Sequence, residues 1–321
     1  MSNLTRSAPL ARIKSTANQR SDRNTARAGV TMLELLVAMG VISLLMSLLI
    51  PAVLSARTAA RSTQCRNNLH QVGIAAQSFH ASHGYISAQE PLKSLLPLMG
   101  ETALAERLAA QDSEGLSSPA FLICPDDFVA DRGRLDISYA LNRGHSFSKD
   151  GRGRGIEWWG RFRFVDATDG LSNTAYMSEK LVWLDLLGRI PVEEGRRNPL
   201  RYSFETLVSY SEGDEDAFAM HCLSGEVRRQ VSVLGEWHQC SLVYDQWVYD
   251  HLLPPNSWSF SNRRSDPWDG ISRTGGAAAG SLHSNGVHIL RLDGSVKFTY
   301  SGIDLAVYRG MGSIAGGESS E

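Results

Sequence analysis

The stretch RAGVTMLELLVAMGVISLL, residues 27–45, places a single carboxylate, Glu34, five positions beyond Gly29 and directly before an uncharged run. Sixteen residues from Leu35 to Ile50 carry no charge and are mostly large and apolar, and residues 51–54 extend the run to twenty. At about 1.5 Å of rise per residue, twenty helical residues span roughly 30 Å, the thickness of a bilayer's hydrocarbon core. The run therefore predicts a membrane helix over residues 30–54. An acid well inside a bilayer costs about 2.5–3.5 kcal/mol on insertion scales, so Glu34 needs a partner or a function unless it sits at the hydrated interface.

Charge is unevenly placed around this run. The 321 residues hold 34 acids and 32 Lys plus Arg, an ordinary globular balance that argues against a nucleic-acid partner. Residues 1–29, however, contain six basic side chains and one acid, so that 26 basic residues face 33 acids in the remainder. This first segment is rich in Ser, Thr, Asn, Arg and Ala without apolar periodicity, the composition of a disordered basic leader of the targeting type. Five basic residues lie in the twenty positions before the membrane run and three (Arg57, Arg61, Arg66) in the twenty after it. That bias places the leader in the cytoplasm and the bulk of the chain on the outer side of the inner membrane.

Pro51 removes one helical donor and is expected to bend the helix. Beyond it, Cys65, Leu69, Val72, Ala76 and Phe79 recur at spacings of four, three, four and three, which traces one helical face. The membrane helix is thus expected to continue as a stem over residues 55–84, with Gly84 as its stop. Over residues 85–321, Gly, Pro, Asp and Asn punctuate short alternating segments, which predicts an α+β head built on antiparallel sheet. Residues 91–112 read as short helices around Pro97, and residues 161–184 as two strands, with Phe162 and Phe164 on one face, about a turn at Asp169-Gly170. Residues 188–275 read as insertions and loops, and GRGRG (151–155) as a flexible surface loop. In SNGVHILRLDGSVKFTY (284–300), Asp293-Gly294 between alternating runs signals a two-residue type I′ hairpin over 287–300. That register puts Val287/Tyr300, Ile289/Phe298 and Arg291/Val296 on the core face. It sends His288 to the other face with Thr299, a poor position for a buried base.

No nucleophile elbow G-x-S-x-G, H-E-x-x-H, G-x-x-x-x-G-K or strand-borne G-x-G-x-x-G can be read, so a non-enzymatic role is expected. His283, a single imidazole beside a turn, reads as structural. Asp166, Asp169 and Glu179 offer carboxylates to a calcium ion, without the spacing of an EF-hand; no other cofactor is expected. Cys65, Cys124, Cys222 and Cys240 lack zinc-like spacing. Outside the cytoplasm they form one or two disulfides, with three full connectivities open, or remain buried thiols.

Gly29-Val30-Thr31-Met32-Leu33-Glu34 resembles the type III signal of type IV prepilins and type II secretion pseudopilins, whose dedicated peptidase cuts after the Gly and methylates the new N-terminus. The resemblance implies cleavage between Gly29 and Val30, N-methylation at Val30, a helix bend at Pro51, and pairing of Glu34 with the terminal ammonium of a neighbouring subunit. Two departures accompany it: Val30 stands where that family usually has Phe, and the leader is long. The blocks STQCRNNLHQVGIAAQSFHASHGYIS (62–87), FLICPDD (121–127), DGLSNTAYMSE (169–179) and His283-x9-Asp293-Gly294 are similar to the prepilin-type family that ends in a processing-associated H-x9-DG region. Two of these blocks carry Cys, so the resemblance favours a Cys65–Cys124 disulfide, leaving Cys222 and Cys240 for a second one.

These readings describe a membrane-anchored, pilin-like structural subunit displayed on a pilus or secretion pseudopilus. Its expected partners are a prepilin peptidase, other pilin-like subunits and the membrane. The alternative is an envelope-tethered solute- or glycan-binding protein, in which Trp residues between 247 and 268 stack on extracellular polysaccharide.

Overall fold

Leu dominates the apolar run, with Val, Met, Ala and Ile behind it, and all are compatible with a helix. A single helix, α1 (Met32–His83), begins there and carries Pro51 inside it. The computed structural model describes residues 31–88, 91–112, 114–127, 135–147, 153–156, 160–182, 199–211, 213–227, 229–231, 248–262 and 275–316. The leader, Gly29, Val30, Cys240, Trp247 and Trp268 lie outside these residues. The chain divides into two compact units, Met1–Val53 and Leu54–Glu321. In the first, α1 is long and apolar enough to cross a membrane, and none of its most apolar stretch is buried.

In the second unit, the face of α1 read from the sequence is the face that packs. Cys65, Leu69 and Val72 are fully buried, Ala76 nearly so, and Phe79 half-buried. Each large side chain removed from water in this way contributes about 1.5–3 kcal/mol. The helix stops where Gly84 turns left-handed at φ +76°, its amide donating to the His80 carbonyl at 2.7 Å. Residues 91–112 form α2 (Pro91–Leu95), a 3₁₀ turn (Leu96–Met99) and α3 (Thr102–Ala109), as the sequence predicts.

The strands of this unit are β1 (Ile86–Ser87), β2 (Tyr139–Asn142), β3 (Arg161–Phe162), β4 (Ala175–Glu179), β5 (Ser203–Glu205), β6 (Arg229–Val231), β7 (Val248–Tyr249), β8 (Ser259–Ser261), β9 (Gly275–Gly276), β10 (Gly286–Arg291) and β11 (Val296–Tyr300). β1 pairs with β3. A five-stranded sheet runs β11-β10-β4-β2-β7, antiparallel except for the parallel pair β2/β7. It shares one core with α1 and ends in α5 (Leu305–Gly312), which follows α4 (Glu215–Leu223) in the chain. The head is therefore α+β, with mixed rather than purely antiparallel sheets.

Residues 188–275, expected as loops, supply most of a second sheet. Its order is β6-β5-β8-β9, with β5/β8 parallel. Phe147, Tyr202, Phe204, Phe218, Leu253 and Phe260 form its own apolar cluster with α4. The strands have two or three residues each, too short for alternation to register in the sequence.

Two further expectations are corrected. The β10/β11 hairpin pairs His288 with Phe298 and Leu290 with Val296, one residue out of the predicted register. Asp293 keeps a negative φ and Gly294 alone is left-handed, at φ +85°. The Arg291 amide donates to the Ser295 carbonyl (2.8 Å) and the Gly294 amide to the Arg291 carbonyl (3.0 Å), closing a three-residue loop with a glycine bulge. A slip of one residue exchanges faces, so Thr299 is buried while Tyr300 is 67% exposed. The second correction concerns residues 153–155, the described part of GRGRG, which are packed rather than free. A Cβ on Gly155 would stand 2.3 Å from the Gly144 amide nitrogen, so two backbones cross here at a distance only glycine allows.

Candidate functional site

In the first unit, Glu34 closes a capping box on α1. Its Oε2 accepts from the Thr31 amide (2.9 Å) and hydroxyl (3.0 Å), and the Glu34 amide donates to Thr31 Oγ1 at 3.2 Å. The pairing satisfies orphan donors at the start of an apolar helix and holds the carboxylate beside the first turn.

In the second unit, the four quoted sequence blocks converge. α1 supplies Cys65, which is bonded to Cys124 of the second block with an S–S distance of 2.16 Å. β4 ends on Glu179, 1% exposed, with Oε1 3.0 Å from His283 Nε2 and 3.1 Å from His288 Nδ1. Its Oε2 accepts from the His288 amide at 2.8 Å. Behind His283, Nδ1 stands 2.8 Å from Asp126 Oδ2, close enough for an ion pair although off the line of a hydrogen bond. Asp126 in turn binds the half-exposed Arg61 of α1. The result is a chain of alternating basic and acidic side chains from Arg61 through Asp126, His283 and Glu179 to His288.

Burial works to raise the Glu179 carboxyl, but the bonds from His283 and His288 outweigh it and hold the group below its ordinary value. For His283, burial works to lower the imidazole, and the Glu179 and Asp126 carboxylates overcome it and hold it raised. Both shifts favour an ion pair. His283 Nε2 also lies 3.5 Å from Cys124 Sγ.

The H-x9-DG segment spans this cluster and a second contact. Asp293 accepts from the Ser295 amide (2.9 Å), and its own amide donates to the Leu171 carbonyl (3.1 Å), while the Leu292 amide donates to Thr174 (3.1 Å). The Asp-Gly turn thus rests on the 169–174 loop, where Gly170 is left-handed at φ +93°. On its other side, Gln77 of α1 binds the Leu292 carbonyl.

The calcium candidates take separate partners: Asp166 binds Arg163, Asp169 accepts from the Gly316 amide at 2.8 Å, and Glu179 faces its histidines. Cys222 is a buried free thiol, while Cys240 lies outside the described residues. Trp258 is half-buried, its ring 4.8 Å from that of Phe204.

His288, assigned to the outer face from the sequence, is 4% exposed and binds Glu179, because β10 is buried on both faces. Neither Glu179 nor Asp126 carries a local motif that marks it for this role. The signal available was an acid closing the apolar strand AYMSE, a position that demands a partner. Among the described residues, Cys65, Cys124, Glu179 and His283 bring their ligand atoms within 4.8 Å of one another.

Comparison with curated proteins found no match, and neither did comparison with solved structures. A family model described as "Protein of unknown function (DUF1559)" matches residues 54–306, from the packed part of α1 to the start of α5, and includes every member of the buried cluster. The chain belongs to that family.

Proposed function

We propose that this protein is a pilin-like structural subunit of the cell envelope, cut between Gly29 and Val30 and assembled through α1 into a pilus or secretion pseudopilus. The observation that carries the reading is Glu34: a carboxylate held in the first turn of a helix whose large apolar side chains, from Met32 to Leu54, are all about half exposed or more. Such a helix needs lipid or other helices around it. In a low-dielectric surrounding, a carboxylate and a terminal ammonium attract far more strongly than in water. Cleavage after Gly29 would create that ammonium, and a neighbouring copy would present it to Glu34. The head then lies outside the cytoplasm, with the inner membrane holding the subunit before assembly, and its role is display rather than catalysis.

The test is Glu34→Ala in cells that express the full chain. Membrane insertion should persist, while cross-linking between copies, or to other pilin-like subunits, should be lost. Cross-linking at the level of the unaltered chain would refute the reading. A glycan-binding head with α1 as a mere tether draws less support, since Trp258 packs on Phe204 instead of presenting an open face.

A further inference from the structure

Three of the four side chains around the disulfide are arranged as metal ligands are. A tetrahedral zinc site has Zn–S of about 2.3 Å and Zn–N or Zn–O of about 2.0–2.2 Å, so its ligand atoms lie roughly 3.3–3.8 Å apart. Cys124 Sγ is 3.5 Å from His283 Nε2 and 3.9 Å from Glu179 Oε1, and those last two atoms are 3.0 Å apart. Only the two sulfurs, in bonding contact, stand well inside the required spacing.

Each non-sulfur ligand is also braced from behind. His283 turns Nε2 inward because Nδ1 faces Asp126, the carboxylate–imidazole arrangement that orients metal-bound histidines. Glu179 turns Oε1 inward because Oε2 is held by the His288 amide. Hydrogen bonding to the disulfide alone would need neither brace.

We propose that Cys65, Cys124, Glu179 and His283 form a redox-gated zinc site, closed by the disulfide and opened by its reduction. A dithiol reductant delivers two electrons and two protons: the Sγ–Sγ bond breaks, two thiols form, and the reductant leaves as its own disulfide. Zinc then displaces both thiol protons to solvent and takes two thiolates, the His283 Nε2 lone pair and Glu179 Oε1. Two thiolates and an imidazole select a borderline-soft cation over calcium or magnesium. The inference is independent of the assembly reading above, since it concerns residues of the head unit alone.

The experiment uses the full chain in detergent, oxidised or reduced with a non-chelating phosphine, equilibrated with zinc and assayed for bound metal after desalting. Cobalt substituted for zinc reports thiolate ligation by its charge-transfer absorption. The expected result is one zinc per reduced chain, none per oxidised chain, and a tetrahedral thiolate-cobalt spectrum. Asp126→Asn should weaken zinc binding about 10–100-fold without removing a ligand, and Cys65→Ser/Cys124→Ser should abolish it while circular dichroism confirms a folded head. A reduced chain that takes up no zinc, equal uptake by the double-serine variant, or equal uptake by the oxidised chain would each overturn the proposal.

Discussion

Gly73 of α1 and Gly294 of the H-x9-DG turn meet backbone to backbone: a Cβ on Gly73 would stand 3.2 Å from Gly294 Cα and 2.8 Å from Leu290 Cδ1. Neither side chain exists to be accommodated, and so the helix and the hairpin close on each other. Gly73→Val should destabilise the head by about 1–3 kcal/mol through overpacking, measured as a shift in denaturant midpoint at unchanged slope. Gly84→Ala, with open space around it, should show only the smaller cost of a left-handed backbone, about 1–2 kcal/mol.

Glu179 and His283 should behave as a coupled pair. Removing one partner leaves the other charge buried, at about 3–5 kcal/mol, so His283→Ala and Glu179→Gln should each destabilise strongly. The double variant should cost clearly less than the two single changes together. A double-mutant cycle by chemical denaturation checks this, and strict additivity would show that the two residues do not interact.

The Cys65–Cys124 bond closes a loop with a sequence separation of 59 residues. Loop-closure entropy assigns such a cross-link about 4 kcal/mol. Cys65→Ser/Cys124→Ser in metal-free buffer should lower the unfolding free energy by about 2–4 kcal/mol, read from denaturant curves, with α1 still helical by circular dichroism.

His251 gives the head a pH dependence. Burial depresses its imidazole to about 3, outweighing the bond between Nδ1 and the Tyr308 carbonyl. In the unfolded chain it titrates near 6.5, so between these values the unfolded state binds more protons and stability rises with pH. The contribution is complete above about pH 6.5 and is lost as pH falls toward 3. Denaturation midpoints compared at pH 7 and pH 4.5 should differ less in His251→Phe than in the unaltered chain, whatever the absolute cost of the substitution.

The long-range helical features were legible because they repeat. The spacing of Cys65, Leu69, Val72 and Ala76 gives the buried face of α1, and Gly84 marks its end. The Asp293-Gly294 turn was legible, but its type was not: two-residue and three-residue loops share the Asp-Gly signal, and the choice rests on the bond from Arg291 to Ser295. That one-residue ambiguity decided which β11 side chains face the core, whereas His288 is buried because both faces of β10 are covered. The second sheet was hidden because strands as short as Gly275–Gly276 carry no pattern. The cluster at Glu179 was hidden for another reason: its members come from positions 61, 126, 179, 283 and 288, and only the fold brings them together. Similarity of the sequence blocks to a known family pointed to the Cys65–Cys124 pairing where spacing left three connectivities open.

The central claim is that α1 begins at a processed N-terminus with Glu34 five residues in. It is tested most directly by the intact mass of the full-length product recovered from cells with an active prepilin peptidase. The expected product is a chain that starts at Val30, with or without one added methyl group. A chain that keeps Met1, or one cut beyond residue 54 as a conventional signal sequence would be, would contradict it.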